Sequence, residues 1–186
     1  MEPLLVSTVT VALAEIGDKT QLLALLLAAR FRKPWPIVAG ILVATLLNHA
    51  MAGWLGATAA SWLTPQVLRW TVAASFIAIA LWTLKPDKLE DGASLPPRGA
   101  FVATTIAFFL AEMGDKTQVA TVLLAANYPP LWQVVAGTTV GMMLANVPVV
   151  ALGSRFADRL PLRAARIVAA VVFLALGLWA AVAGVA

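Results

Sequence analysis

The sequence contains no cysteine and only one histidine among its 186 residues. Thiolate sites for zinc, copper(I) or iron–sulfur clusters are therefore excluded. Charged residues are scarce as well, at 12%, whereas 61% of the residues are hydrophobic. The mean hydropathy of +0.90 indicates an integral membrane protein rather than a soluble domain. Any metal ion that this chain binds must be held by oxygen atoms.

Two further expectations follow from what is missing. The chain begins Met1-Glu2-Pro3 without a basic stretch, so we expect no cleavable signal peptide. The net charge of +4 does not predict binding to nucleic acid, because most basic residues lie in short connections between apolar runs. The expected surroundings are a lipid bilayer, and an oligomer of this chain is compatible with the sequence.

Six apolar runs approach or exceed the roughly 20 residues that a helix needs to cross the hydrocarbon of a bilayer. They cover about residues 4–29, 36–62, 67–85, 99–126, 131–153 and 166–185. Because backbone polar groups within a bilayer must be satisfied inside helices, the sequence predicts an all-α, polytopic membrane protein with six transmembrane helices.

The second half of the chain repeats the first at an offset of 97 residues, so that Gly40 falls on Gly137 and Phe76 on Phe173. Each repeat contains three spans, an odd number, and the repeats should therefore have opposite orientations. Inverted repeats are typical of alternating-access transporters. The predicted organisation is a first three-helix repeat at 1–85, a cytoplasmic linker at 86–98 and a second repeat at 99–186, all within one membrane domain.

Basic residues alternate sharply between the two sets of connections. One set contains Arg30, Arg32, Lys33, Lys85, Lys88, Arg98, Arg155, Arg159, Arg163 and Arg166, and the other contains only Arg69. Because cytoplasmic connections carry the excess of Lys and Arg, both termini are expected outside the cytoplasm of a multi-pass protein of the cell inner membrane.

One heptapeptide occurs twice inside the apolar runs, as Glu-Ile-Gly-Asp-Lys-Thr-Gln at 15–21 (the first motif) and Glu-Met-Gly-Asp-Lys-Thr-Gln at 112–118 (the second motif). Together the motifs contain six charged residues. A charge at the bilayer centre costs roughly 2.5–3.5 kcal/mol on insertion scales. Six isolated charges would cost on the order of 15–20 kcal/mol, more than the ~5–15 kcal/mol stability of a typical domain. The charges should therefore face one another inside the protein.

On a continuous helix, residues three apart share a face, so each motif should form one stripe of oxygen-bearing side chains. Gly17 and Gly114 could let another backbone approach, or let the helix loosen. Carboxylate, amide and hydroxyl oxygens suit a hard divalent cation such as Ca²⁺, Mn²⁺ or Mg²⁺. The candidate ligands are Glu15, Asp18, Glu112 and Asp115, with Thr20, Thr117, Gln21 and Gln118 as helpers.

The two motif lysines decide the charge of such a site. Lys19 follows Glu15 by four residues and Lys116 follows Glu112 by four, an order that favours intrahelical ion pairs. If both pairs form, the aspartates leave a net charge of −2, which one divalent cation neutralises. If the lysines point away, the site carries −4 and needs protons whenever it holds no metal. In both cases protons and metal compete for the same oxygens, which predicts cation/proton exchange.

The twin pattern Glu-x-Gly-Asp-(Lys/Arg)-(Thr/Ser) in a six-span chain resembles the manganese/calcium cation–proton exchanger family. That family occurs in bacterial inner membranes, chloroplasts and the Golgi, and is placed near the lysine-exporter superfamily. The resemblance covers essentially the whole chain. It implies export of Mn²⁺ or, second, Ca²⁺ from the cytosol, with the motif carboxylates as ligands. It implies a transporter rather than an enzyme, with the metal as transported ion and no separate cofactor.

Three alternatives stay open at this level. The motif charges could be structural ion pairs that fix helix register, or belong to a membrane-embedded metalloenzyme. The carboxylates could also serve as counter-ions in an exporter of small organic cations such as basic amino acids. Asn48, His49 and Asn146 also lie inside predicted spans. They could hydrogen-bond beside the site, form interhelical hydrogen bonds or, for His49, take part in a proton step.

Overall fold

The computed structural model describes residues 2–85, 99–153 and 162–183, and within these ranges the regular secondary structure is entirely helical. The helices are α1 (Glu2–Glu15), α2 (Lys19–Phe31), α3 (Pro34–Trp62), α4 (Pro65–Thr83), α5 (Ala100–Glu112), α6 (Lys116–Asn127), α7 (Leu131–Leu152) and α8 (Leu162–Ala183). The predicted linker 86–98 lies outside the described residues, as do both ends of the chain.

Four of the described helices are long and apolar enough to cross a membrane, namely α3, α4, α7 and α8. α5 is a shorter apolar helix. Many large apolar side chains on these helices point outward, among them Leu46, Leu144 and Leu178, which are about half exposed. An outward apolar surface fits a protein whose solvent is lipid.

The prediction that 4–29 and 99–126 are continuous helices is wrong. The first of these segments is divided into α1 and α2, and the second into α5 and α6. Both interruptions fall inside the motifs. The side chains of one motif therefore do not follow helical spacing, and the predicted stripes with a three-residue period do not form.

Equivalent residues of the two halves make equivalent contacts with the opposite half. α5 packs on α3, where a side chain at Gly40 would collide with the carbonyl of Phe101. α1 packs on α7, where a side chain at Gly137 would collide with the carbonyl of Leu4. These pairs are related by the 97-residue offset. Each broken helix thus lies against the long helix of the other half, at a glycine that permits close approach.

The two sides of the helix breaks are packed differently. α4 and α8 pack together, with Phe76 and Phe173 stacked at a centroid distance of 6.2 Å. α1 also packs on α8 and α6 on α4, whereas no comparable packing of α2 or α5 on α4 or α8 occurs within the described residues. The buried apolar residues accordingly form two clusters, one around α4, α6 and α8 and one around α2, α3, α5 and α7.

Candidate metal centre

Each motif interrupts its helix for three residues, and glycine makes the interruption possible. Gly17 has a φ of 81° and Gly114 a φ of 76°, in the left-handed region that favours glycine. The aspartate that follows each glycine stands at the start of the next helix, Asp18 before α2 and Asp115 before α6. Aspartate is favoured there, because its negative charge lies at the positive end of the helix dipole.

The two breaks bring the four motif carboxylates together. Glu15, Asp18, Glu112 and Asp115 are all buried, and one carboxylate oxygen from each lies within 4.8 Å of the others. Oxygens this close around one centre fit the ligand set that a small hard cation takes. The convergence expected from the duplicated motif is therefore present, although it arises from broken helices rather than from helical stripes.

The lysines pair across the two halves. The Lys19 ammonium lies 2.9 Å from Asp115, and that of Lys116 contacts Asp18. The salt bridges observed are thus not the intrahelical Glu15–Lys19 and Glu112–Lys116 pairs considered from the sequence. With all six groups ionised, four carboxylates against two ammonium groups leave the net charge of −2 that one divalent cation neutralises.

The two glutamates have very different hydrogen bonds. Glu15 accepts from the hydroxyls of Thr20 and Thr117, each at 2.5 Å, so that both motif threonines converge on one carboxylate. Glu112 is equally buried, but neither of its carboxylate oxygens has a hydrogen-bond partner in the described part of the chain. A buried ionised carboxylate without hydrogen bonds is costly, so Glu112 calls for a proton or a cation.

The two glutamines hold the loops of the breaks. Gln21 accepts from the backbone N–H of Gly17 at 2.8 Å, and Gln118 accepts from that of Gly114 at 2.7 Å. Their amide groups donate to the opposite half: Gln21 donates to the carbonyl of Ala145 at 3.0 Å, and Gln118 donates to the side-chain oxygen of Asn48 at 2.8 Å. In this structure the glutamines brace the motifs, and their predicted role as metal ligands stays a prediction.

The three polar residues noted beside the motifs behave differently from one another. Asn48 bonds across to α5 and α6 through Phe109 and Gln118, an interhelical role. Asn146 donates within its own helix, to the carbonyl of Met142 at 3.1 Å. His49 is fully buried, and its ring nitrogens have no hydrogen-bond partner among the described residues.

Access to the site differs between the halves. The side chain of Lys19 is 25% exposed, whereas that of Lys116 is 2% exposed. Met113 and Gly114 in the second loop are exposed, and Gly17 in the first loop is only partly exposed. The carboxylates are therefore sealed around Lys116 and closest to the surroundings near Lys19 and the second loop.

Sequence reasoning predicted the convergence of the four carboxylates. It allowed for looser helices at the motif glycines but did not predict complete breaks, and it did not predict the crossed salt bridges. A signal for the breaks exists in the sequence: glycine commonly ends helices and aspartate commonly begins them, and both occur in that order in each motif. No such signal exists for the crossed pairs, because their partners are 97 or so positions apart and only the packing of the halves brings them together.

Comparison with known proteins identifies related sequences over nearly the whole chain. The sequence profile of the family described as "Divalent cation/proton antiporter GDT1" matches residues 3–91 and 100–186. Over 179 residues the chain is 56% identical to the "Putative manganese exporter" of Vibrio cholerae serotype O1, covering 96% of this chain and 90% of that protein.

Two more distant relatives also match over most of the chain. The "GDT1-like protein sll0615" of Synechocystis is 27% identical over 188 residues, covering 88% of each chain. The "GDT1-like protein 5" of Arabidopsis thaliana is 27% identical over 210 residues, covering 89% of each chain. No solved structure matches the chain.

Proposed function

Because the chain belongs to the GDT1 family of divalent cation/proton antiporters, we propose that it exports Mn²⁺, with Ca²⁺ as the second substrate, from the cytosol in exchange for protons. The observation that carries this proposal is the buried cluster of Glu15, Asp18, Glu112 and Asp115. The relative described as a manganese exporter supports Mn²⁺ as the first choice.

The charge of the cluster gives a mechanism for exchange. A divalent cation that enters between the four carboxylates neutralises the net −2 left by the two lysine pairs. When the cation leaves, the uncompensated carboxylates favour protons, because charges buried away from water are costly. Protons and metal thus bind alternately to the same oxygens, and each drives the other out.

The small size of the carboxylate cluster favours a metal ion over an organic cation. The four ligand oxygens lie within 4.8 Å of one another, and the lysines already occupy two of the carboxylates. An ammonium or guanidinium group would have to displace a lysine, and the rest of an amino acid would need further space. Excess lysine or arginine should therefore not displace bound Mn²⁺.

The proposed membrane architecture has six spans in two inverted repeats. α1 with α2 forms one broken span and α5 with α6 another, and α3, α4, α7 and α8 form the remaining four. The exchanged contacts of Gly40 and Gly137 support the repeat. Half-helix ends that meet at a midplane site are a recurring arrangement in transporters built from inverted repeats.

The proposed orientation places both termini outside the cytoplasm of the inner membrane, because ten basic residues lie in one set of connections and one in the other. α2 and α5 then lie on the cytoplasmic side, and within the described ranges these two helices do not pack on α4 and α8 as α1 and α6 do. The natural absence of cysteine permits a direct test with single cysteines at Ala93 and Ala186. In intact cells Ala186→Cys should react with an impermeant reagent and Ala93→Cys should not; the reverse pattern would refute the orientation.

The binding step can be tested with purified protein by calorimetry of Mn²⁺ binding in buffers of different ionisation enthalpy. We expect binding accompanied by proton release, so that the observed heat changes with the buffer. The double variant Asp18→Asn/Asp115→Asn is the matched control and should not bind. Binding with a heat independent of the buffer would contradict exchange, and equal binding by the double variant would contradict the site.

A further inference from the structure

The loop of the second motif is held by a chain of two side chains that ends on α3. The amide oxygen of Gln118 accepts from the Gly114 N–H at 2.7 Å, and the amide nitrogen of Gln118 donates to the side-chain oxygen of Asn48 at 2.8 Å. Asn48 is fully buried. The position of Gly114, and of Asp115 beside it, thus depends on a residue outside the motif.

Asn48 also reaches the helix on the other side of the break. Its amide nitrogen donates to the carbonyl of Phe109 at 3.4 Å, in the last turn of α5. Carbonyls in the last turn of a helix lack an intrahelical partner, and the N–H of Met113 bonds instead to Leu110. Asn48 therefore contacts α5 directly and the loop before α6 through Gln118, and so spans the break between Glu112 and Asp115.

Among the described residues, the first motif has no such clamp. The residue that corresponds to Asn48 at the 97-residue offset is Ala145, whose side chain cannot hydrogen-bond. Gln21 bonds instead to the backbone carbonyl of Ala145. The neighbouring Asn146 donates to Met142 within α7. The first motif is braced on main chain, and the second motif is braced on a side chain.

We propose that Asn48 is a positioning residue that fixes the second motif for metal binding, a role that rests on the proposed function. By holding the end of α5 and the loop before α6 in one arrangement, Asn48 keeps Glu112 and Asp115 at the distance that a shared cation requires. Asn48 does not touch the ion. Its loss should loosen the second motif and leave the first motif in place.

The decisive variant is Asn48→Ala, which gives position 48 in the first half the residue that stands at the equivalent position, Ala145, of the second half. We expect Mn²⁺ binding to weaken about tenfold, the effect of losing about 1.4 kcal/mol. Gln118→Ala should weaken binding by the same factor or less, because it leaves the bond from Asn48 to Phe109 in place. The double variant should bind no more weakly than Asn48→Ala, because Gln118 acts through Asn48. Asn146→Ala, a buried asparagine whose amide donates only within its own helix, is the matched control and should bind within twofold of wild type.

Hydrogen exchange gives a readout that is independent of metal. In Asn48→Ala, amide exchange should accelerate in peptides that contain Gly114 and stay unchanged in those that contain Gly17; general loosening would accelerate both. If Asn48→Ala does not fold, Gln118→Met can replace it. That variant removes the acceptor of the Gly114 N–H and should accelerate amide exchange in the same peptides. The proposal would be overturned if Asn48→Ala left amide exchange at Gly114 unchanged, or if it bound Mn²⁺ within twofold of the wild type. If the wild type does not bind Mn²⁺ while Asn48→Ala still accelerates amide exchange at Gly114, the proposed function is refuted and the positioning role of Asn48 is not.

Discussion

The two halves of this protein carry nearly the same motif in the same broken-helix conformation and yet surround it with different interactions. Both threonine hydroxyls bond to Glu15, whereas Glu112 has no hydrogen-bond partner among the described residues. Lys116 is sealed with Asp18, whereas Lys19 is a quarter exposed beside Asp115. A duplicated sequence therefore yields one site with two unequal sides.

This difference between the halves shows that the repeated sequence determines which residues form the site. It does not determine which hydrogen bonds and which exposure each copy of a residue has. On the proposed inverted-repeat architecture, a conformation that is open to one side of the membrane gives the two motifs different surroundings. On the proposed account the halves exchange these roles during transport. Variants at equivalent positions should accordingly have equal effects where both halves share a function and unequal effects where the present state distinguishes them.

The largest effect should be equal in both halves. Asp18→Asn and Asp115→Asn each remove one negative charge from the buried cluster. A divalent cation then keeps an uncompensated charge in a site of low dielectric, where desolvation costs several kcal/mol, so either variant should reduce Mn²⁺ transport by a factor of at least about one hundred. The measurement is Mn²⁺ uptake into inverted vesicles. If the double variant Asp18→Asn/Asp115→Asn took up Mn²⁺ at nearly the wild-type rate, the motif charges would be structural ion pairs rather than metal ligands.

The lysines should separate the halves. Lys116→Ala leaves Asp18 fully buried without this partner and should destabilise the protein by about 3–5 kcal/mol. Lys19→Ala should cost closer to ~1 kcal/mol, since its pair is partly exposed. Thermal unfolding in detergent measures the difference, and equal losses would contradict the difference in sealing.

Lys19→Ala should also change the pH dependence of transport. Without this positive charge, protons compete better with Mn²⁺ for the carboxylates, because the deprotonated form loses a stabilising neighbour. Transport should then need a higher pH than in the wild type, and recover as pH rises. Uptake between pH 6 and 9 tests this expectation; loss of transport across the whole range would contradict it.

The glutamates should differ in their effect on the stability of the metal-free protein. Glu15→Gln removes the charge that two threonine hydroxyls stabilise, and hydrogen bonds to charged groups contribute about 1.5–3 kcal/mol each. Glu112→Gln removes a buried carboxylate without hydrogen bonds and should be neutral or stabilising. The unfolding midpoints of the two variants in the absence of metal provide the comparison. A greater loss of stability in Glu112→Gln than in Glu15→Gln would contradict the difference in hydrogen bonding between the two glutamates.

A small effect that should be equal in both halves concerns the helix breaks. Gly114→Ala and Gly17→Ala should each cost about 1–2 kcal/mol, the penalty of a side chain in the left-handed region. A side chain at Gly114 meets no atom of the described residues within 4 Å, so its effect reports backbone conformation. Stabilities of both variants equal to that of the wild type would argue against left-handed glycines at the breaks.

Much of the site was predictable because charge inside an apolar segment has few solutions. The duplicated motif and the odd number of spans per repeat led to the expectation that Glu15, Asp18, Glu112 and Asp115 converge, and they do. The continuous spans were wrong because hydropathy does not register a three-residue interruption. Hydropathy marks which residues avoid water, and Gly17 and Gly114 change the backbone without changing that preference.

The crossed salt bridges and the clamp at Asn48 lay beyond sequence reasoning for a different reason. Helical spacing identifies neighbours within one helix, such as Glu15 and Lys19, and assigns them to each other. The observed partner of Lys19 comes from the other half. Its identity depends on how α2 and α6 begin at a common centre, which a single sequence does not state.

The central claim is that divalent cation and protons exchange through one carboxylate cluster. Its most direct test is Mn²⁺ flux in proteoliposomes that contain the purified protein, with and without an imposed pH gradient. We predict that Mn²⁺ moves against its own gradient when protons flow the other way, and that collapsing the pH gradient stops this movement. The double variant Asp18→Asn/Asp115→Asn should transport neither Mn²⁺ nor protons. Mn²⁺ flux that is unchanged by the pH gradient, or that persists in the double variant, would contradict the account.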